Sequence, residues 1–230
     1  MQATTLLLSP ELDAWRTRLQ DTAAAALAEG GPDGAHDLNH FDRVWRNAQA
    51  LLAHYPEADA LVVLAACYLH DLVNVPKNDA RRSIASRLSA ELAAETLAGL
   101  GFPREKLAAV GHAIEAHSFS AAVPATTLEA QIVQDADRLD GLGAVGLARM
   151  FYTAGRMGCA LAHGSDPLAQ DRPLDDKAYS LDHIEAKLAR LPGMMQTAAG
   201  RALGEARLAL LTDFRAAFAA EWSGTPPCAT

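Results

Sequence analysis

Apolar residues recur every three or four positions along nearly the whole chain. No stretch alternates with the period of two that marks a half-buried strand. This rhythm predicts an all-α fold. Ser9-Pro10-Glu11 opens the first helix: serine caps it, proline suits its first turn, and the acid sits at the positive end of the helix dipole. The run Gly30-Gly31-Pro32-Asp33-Gly34 ends it. A second helix starts near Asp37 and carries Phe41, Val44, Trp45, Ala48, Leu51 and Leu52 on one face. A third, over 57–73, is apolar nearly all round and is expected in the core. Further helices are predicted over 83–100 with Gly101 as its cap, from Pro103 to His117, through TLEAQIVQDADRLDGLG, over 182–191 and over 197–222. Gly141, Gly143 and Gly146 are expected to break or kink the helical pattern of GAVGLARMFYTAGRMG. CALAHGSDPLAQDRPLDDK reads as a long loop or lid, with a solvated acidic run at 171–176, and 223–230 reads as a flexible tail. No linker separates two domains. The expectation is one domain over 1–222, with its core at 36–140 and a helical extension at 141–222.

Composition narrows the function classes. Half of the 230 residues are apolar, enough for a substantial core. The net charge of −8 repels a phosphate backbone and argues against non-specific nucleic-acid binding. A local basic patch for a small anionic substrate remains compatible with it. Cys67, Cys159 and Cys228 are scattered and form no CxxC, which argues against a disulfide framework or a thiolate zinc site and suits a reducing cytosol. MQATTLLLSPELDAW lacks the positive region of a signal peptide. The longest apolar run, 61–69, falls far short of the roughly 20 residues a bilayer requires. A cytoplasmic protein, monomeric or homodimeric and without a membrane partner, is expected.

The apolar run LVVLAACYL ends abruptly in His70-Asp71. Burying either residue without a partner costs several kcal/mol, so the pair is either hydrogen-bonded or holds something. Three other places carry similar groups: His40 in HDLNHFDRVWRNA, His112 and His117 in GHAIEAHSFS, and Asp137 in QDADRLDGLG. Imidazole and carboxylate are natural ligands for divalent metals, and helix bundles build such sites from inward-facing side chains. Adjacent helical residues point about 100° apart, so His70 and Asp71 could share an ion only if it lies in the angle between them. His40 and Asp137 would close the other side. Taken singly, each residue has a plainer reading: an interior histidine, a hydrogen-bonded pair at a helix end, a solvated acidic face. Together, in the order that a family resemblance gives them, they read as a metal site. His36-Asp37 repeats the dipeptide, but Asp37 there suits a helix N-cap and His36 the surface.

The order His…His-Asp…Asp resembles the HD-domain superfamily of metal-dependent phosphohydrolases over residues 36–140. HDLNHFDRVWRNA, HDLVNVPKN, AIEAHSFS and QDADRLD are similar to a small bacterial subfamily of single-domain HD proteins, and RPLDDKAYSLDHIEAKLARLP extends the similarity to Pro192. The resemblance implies an HD helical bundle with a divalent ion in its core, Mn²⁺ or Mg²⁺ foremost, with Fe, Co, Ni or Zn as alternatives. It assigns the ligands to His40, His70, Asp71 and Asp137. Ala136-Asp137-Arg138-Leu139 matches the string in which such families place the last ligand. Asp135 is the runner-up, and Asp140 and His112 are candidates for supporting roles. It also implies hydrolysis of a phosphate ester or anhydride of a small molecule, with a nucleotide as one candidate. No Walker loop or Rossmann fingerprint accompanies this. His117 is the candidate general acid or second-metal ligand. Lys77, first, then Arg81 and Arg138 are the candidate phosphate contacts. Two other functions stay open: a di-iron oxygenase of the same fold, and a non-catalytic regulator that the metal stabilises.

Overall fold

The computed structural model describes residues 9–30, 37–73 and 84–224. The chain divides into two compact units, Met1–Asp137 and Arg138–Thr230. Among the described residues the structure is all-α, and no helix is long and apolar enough to cross a membrane.

The first unit holds α1 (Pro10–Gly30), α2 (Leu38–Leu52), α3 (Ala60–Leu69), α4 (Ala85–Gly99), α5 (Leu107–His117) and most of α6 (Leu128–Asp140). At its centre α3 packs against α1, α2 and α5, and every residue from Val62 to Leu69 is buried. This matches its all-round apolar pattern. Asp59 caps it by accepting from the amides of Leu61 and Val62, while Lys106 pairs with the same carboxylate. α3 is shorter than the predicted 57–73. His70 is its C-cap and Asp71 lies just beyond, so the dyad leaves the core at a helix exit. Tyr68 donates to Asp42 Oδ1 at 2.6 Å and Gln20 donates to the same oxygen at 2.8 Å, which ties α1, α2 and α3 together. Trp15 packs edge-on against Phe102, just past Gly101, whose φ of +73° lets the chain leave α4.

The second unit holds α7 (Gly143–Arg156), α8 (Asp182–Ala186) and α9 (Ala198–Trp222), with α7 packed on α9. Gly141 lies in the break between α6 and α7, and Gly143, at φ +69°, opens α7. Gly146, however, lies inside α7 without interrupting it, and its reason is steric. A Cβ there would lie 2.2 Å from the carbonyl oxygen of Gly141. The loop between α7 and α8 contains one parallel bridge, Ala160 to Tyr179. The helix predicted over 182–191 instead stops after Ala186 and continues as the 3-10 turns Leu188–Arg190 and Pro192–Met194. Pro192 has no N–H to return to Leu188, and the segment is too short to gain many α-type bonds. The acidic run expected to be solvated is partly engaged, since Asp176 meets His183 Nδ1 at 2.9 Å. Of the tail, 225–230 lies outside the described residues.

Candidate metal centre

Four elements of the first unit deliver the site. Asp37 caps α2 by accepting from the His40 amide, so His40 stands one turn into the helix on the apolar face that holds Phe41 and Val44. His70 and Asp71 leave α3, His117 is the last residue of α5, and Asp137 lies near the end of α6. His40, His70 and His117 are buried, while Asp71 and Asp137 are partly exposed.

Their atoms form two overlapping groups that share His70. In the first, His40 Nε2 lies 3.3 Å from His70 Nε2 and 3.5 Å from Asp137 Oδ1, and His70 Nε2 lies 3.8 Å from Asp137 Oδ1. In the second, His70 Nε2 lies 3.7 Å from Asp71 Oδ2, and His117 Nε2 lies 3.5 Å from Asp71 Oδ1. Donors bound to one ion at about 2.1 Å stand roughly 3.0–3.4 Å apart in octahedral or tetrahedral arrangement. The observed spacings sit at and slightly above that range.

The other ring nitrogens are already committed. His70 Nδ1 lies 3.0 Å from the carbonyl of Cys67, and His117 Nδ1 lies 2.6 Å from that of Ile114. A carbonyl only accepts, so Nδ1 carries the proton in both rings and Nε2 faces the cluster. This orientation is characteristic of metal-ligating histidines. Burial pushes the His70 pKa down to about 4, against the pull of Asp71 and Asp137. Burial alone would raise the Asp71 carboxyl, but the histidines around it, His70 first, hold it well below the usual carboxylate range. Burial also opposes charge on His117, but its hydrogen bond to Asp71 and the nearby carboxylates raise its pKa. A neutral His70 beside an ionised Asp71 is the protonation pattern that a metal requires. The donor set therefore could hold a divalent ion.

The remaining candidates lie elsewhere or are engaged. Asp135, on the same helix as Asp137, is fully buried and belongs to neither group. Asp140 is buried and paired with Arg149. His112 Nε2 accepts from the amide of Thr126 at 3.2 Å and meets its hydroxyl at 3.0 Å. Arg138 donates to the carbonyl of Met194. Lys77 and Arg81 lie outside the described residues, as does His36. The sequence reading passed over the groups behind the ligands. Two of these, Asn47 and Gln134, stand seven residues after His40 and three before Asp137. That helical spacing was the available signal.

Comparison with known proteins shows the family to which the chain is similar. The family model for the HD domain matches residues 37–142. The chain is 34% identical over 183 residues to the Bacillus subtilis protein YpgQ, covering 78% of this chain and 80% of that one. It is similar in structure to YpgQ solved in complex with ADP, with a TM-score of 0.70, 28% identity, and coverage of 91% of this chain and 96% of that one. It is also similar to a Bacillus thuringiensis protein described as an HD-superfamily hydrolase, with a TM-score of 0.69, 26% identity, and coverage of 92% and 98%.

Proposed function

Since this chain belongs to the HD-domain family, we propose that it is a metal-dependent phosphohydrolase that cleaves a phosphate ester or anhydride of a small molecule, a nucleotide foremost. One observation carries the reading: three imidazoles and two carboxylates converge at ligand-like spacing where four helical elements meet. The ADP bound to YpgQ supports a nucleotide as the substrate class.

In this reading His40, His70, Asp71 and Asp137 hold the ion, Mn²⁺ or Mg²⁺ foremost. A bound divalent ion supplies a water of lowered pKa and a positive charge beside the phosphoryl oxygens. His117 stands at the edge of the cluster with Nε2 turned to Asp71, and it is the proposed proton donor to the leaving oxygen. Ile114 and Asp71 together orient its ring for that task. Lys77 and Arg81 are the proposed phosphate contacts. Arg138, the third proposed phosphate contact, donates from one guanidinium nitrogen to the carbonyl of Met194.

The group His70–Asp71–His117 beside His40–His70–Asp137 also favours a second reading, a two-iron oxygenase. That reading requires tightly bound iron and oxygen uptake.

The test pairs wild type with Asp71→Ala. Both are stripped of metal and reloaded with Mn²⁺, Mg²⁺, Co²⁺ or Ni²⁺. Phosphate and pyrophosphate release are followed across nucleoside mono-, di- and triphosphates and common sugar phosphates. Metal-dependent release by wild type alone is expected. Wild type that turns over none of these substrates with any metal would overturn the proposal.

A further inference from the structure

Two buried amides tie the ligand-bearing helices together. Asn47 of α2 donates through Nδ2 to the carbonyl of Ala136 in α6, at 3.0 Å. Gln134 of α6 donates through Nε2 to the carbonyl of Ala116 in α5, at 2.6 Å. Both side chains are buried. Each carbonyl belongs to the residue immediately before a site residue, Asp137 in one case and His117 in the other. The carbonyl of one residue and the Cα of the next share a rigid peptide plane. Gripping the oxygen therefore fixes where the next side chain begins.

The placement of the amides follows from helix geometry. His40 and Asn47 are seven residues apart, which returns to within about 20° of the same direction after two turns. Gln134 and Asp137 are three apart, so they lie on one side of α6. α2 thus carries one proposed ligand and the grip on the next, and α6 carries that next ligand and the grip on His117. At the end of α5 the last four carbonyls have no partner within the helix. His117 Nδ1 takes the Ile114 carbonyl and Gln134 takes that of Ala116. The helix end that presents His117 is closed by its own ring and by a residue from α6.

Packing alone does not account for Gln134. Its Oε1 is buried without a hydrogen-bond partner among the described residues, an arrangement that costs stability. A methionine of similar length would carry no such penalty. What the amide supplies, and an apolar side chain cannot, is the bond to Ala116.

We propose that Asn47 and Gln134 are positioning residues of the metal centre, Asn47 setting Asp137 and Gln134 setting His117. The inference rests on the metal reading above. Its test begins on metal-free protein with ¹⁵N-labelled histidine, the ring signals assigned by single His→Gln variants. Gln134→Met and the shape-preserving Gln134→Glu are expected to shift or broaden the His117 signals while those of His40 stay in place. Asn47→Leu and the shape-preserving Asn47→Asp are expected to leave His117 in place and move His40, whose Nε2 lies beside Asp137. Mn²⁺ titration should then show affinity about 10-fold to 100-fold weaker in the Asn47 variants, as for other residues that orient metal ligands. The Gln134 variants, which displace the proposed proton donor His117, should keep Mn²⁺ affinity and lose metal-dependent turnover. Ring signals that all move together, or do not move, would overturn the inference, as would a lowered melting temperature with unchanged Mn²⁺ affinity in the Asn47 variants or unchanged turnover in the Gln134 variants. Wild type that binds no divalent ion would overturn the metal reading and the role of both amides with it. That outcome is distinct from selective failure in the variants.

Discussion

Asp182 in the second unit is 1% exposed and receives two hydrogen bonds from the Arg172 guanidinium, at 2.6 and 2.8 Å. Asp140, also buried, is paired with Arg149. In the first unit Asp71 and Asp137 meet imidazoles instead, at 3.5 to 3.8 Å. The contrast separates a structural acid from a candidate ligand. Arginine is charged at any accessible pH, and its planar fork fills a carboxylate's lone pairs. The pair is complete without anything else. Imidazole can stay neutral and present a lone pair. A cluster of imidazoles and carboxylates therefore has room for a cation where an arginine pair has none. Asp182 and Asp71 look alike as acids beside histidines in sequence, yet one meets a guanidinium and the other imidazoles.

The largest effect is expected at His70, which both donor groups share. His70→Ala should bring divalent-ion affinity below detection in calorimetric titration. Any metal-dependent turnover should fall on the order of a thousandfold, the equivalent of several kcal/mol of lost charge stabilisation. Retained affinity would erase the distinction between the two regions.

Next is Asp182→Ala. It removes the buried carboxylate from a guanidinium that keeps the carbonyls of Asp166 and Pro173 and the Tyr179 ring. A lowered urea midpoint is expected, with Mn²⁺ affinity unchanged where the protein is folded. A parallel drop in Mn²⁺ affinity would mean that Asp182 is not purely structural.

The smallest effect is a pH profile of the metal-free protein. The unfolded chain protonates a histidine near pH 6.5, whereas folded His70 does so only at about 4. Between those values the unfolded state binds more protons. Stability should therefore fall as pH drops from about 6.5 to 4, by up to about 3 kcal/mol. His117 acts in the opposite window. Its pKa is raised, so its contribution is complete below pH 6.5 and is lost as pH rises through the raised value. Asp182 has a lowered pKa, because Arg172 and the Asp175 amide outweigh burial. Its contribution is present above 3.8 and is lost only as pH falls through the lower folded value. Urea midpoints from pH 8 to 4 should thus trace a maximum near 6.5 that His70→Gln flattens on its acid side. A flat wild-type profile would show that the histidine cluster carries no such linkage.

Much of the architecture was readable from short stretches. Ser9, Asp37 and Gly101 mark helix boundaries through bonds and dihedrals spanning a few residues, and the apolar face of α2 follows a fixed period. The family blocks around His40, His70-Asp71 and Asp137 were also visible as strings. Less legible were the breaks after Leu69 and Ala186, where the helical pattern of the sequence runs on past the end of the helix. The sequence alone determined that the chain is helical, where most helices begin and end, and which residues were candidates for chemistry, because capping and periodicity act within about one helical turn. Only the tertiary structure decided that Asp137 stands with His40 and His70 while Asp135 does not, that His117 reaches Asp71 while His112 turns to Thr126, and that Asn47 and Gln134 grip the backbone behind two of these residues. Those outcomes depend on the relative phase and depth of packed helices far apart in sequence, to which no local pattern is sensitive.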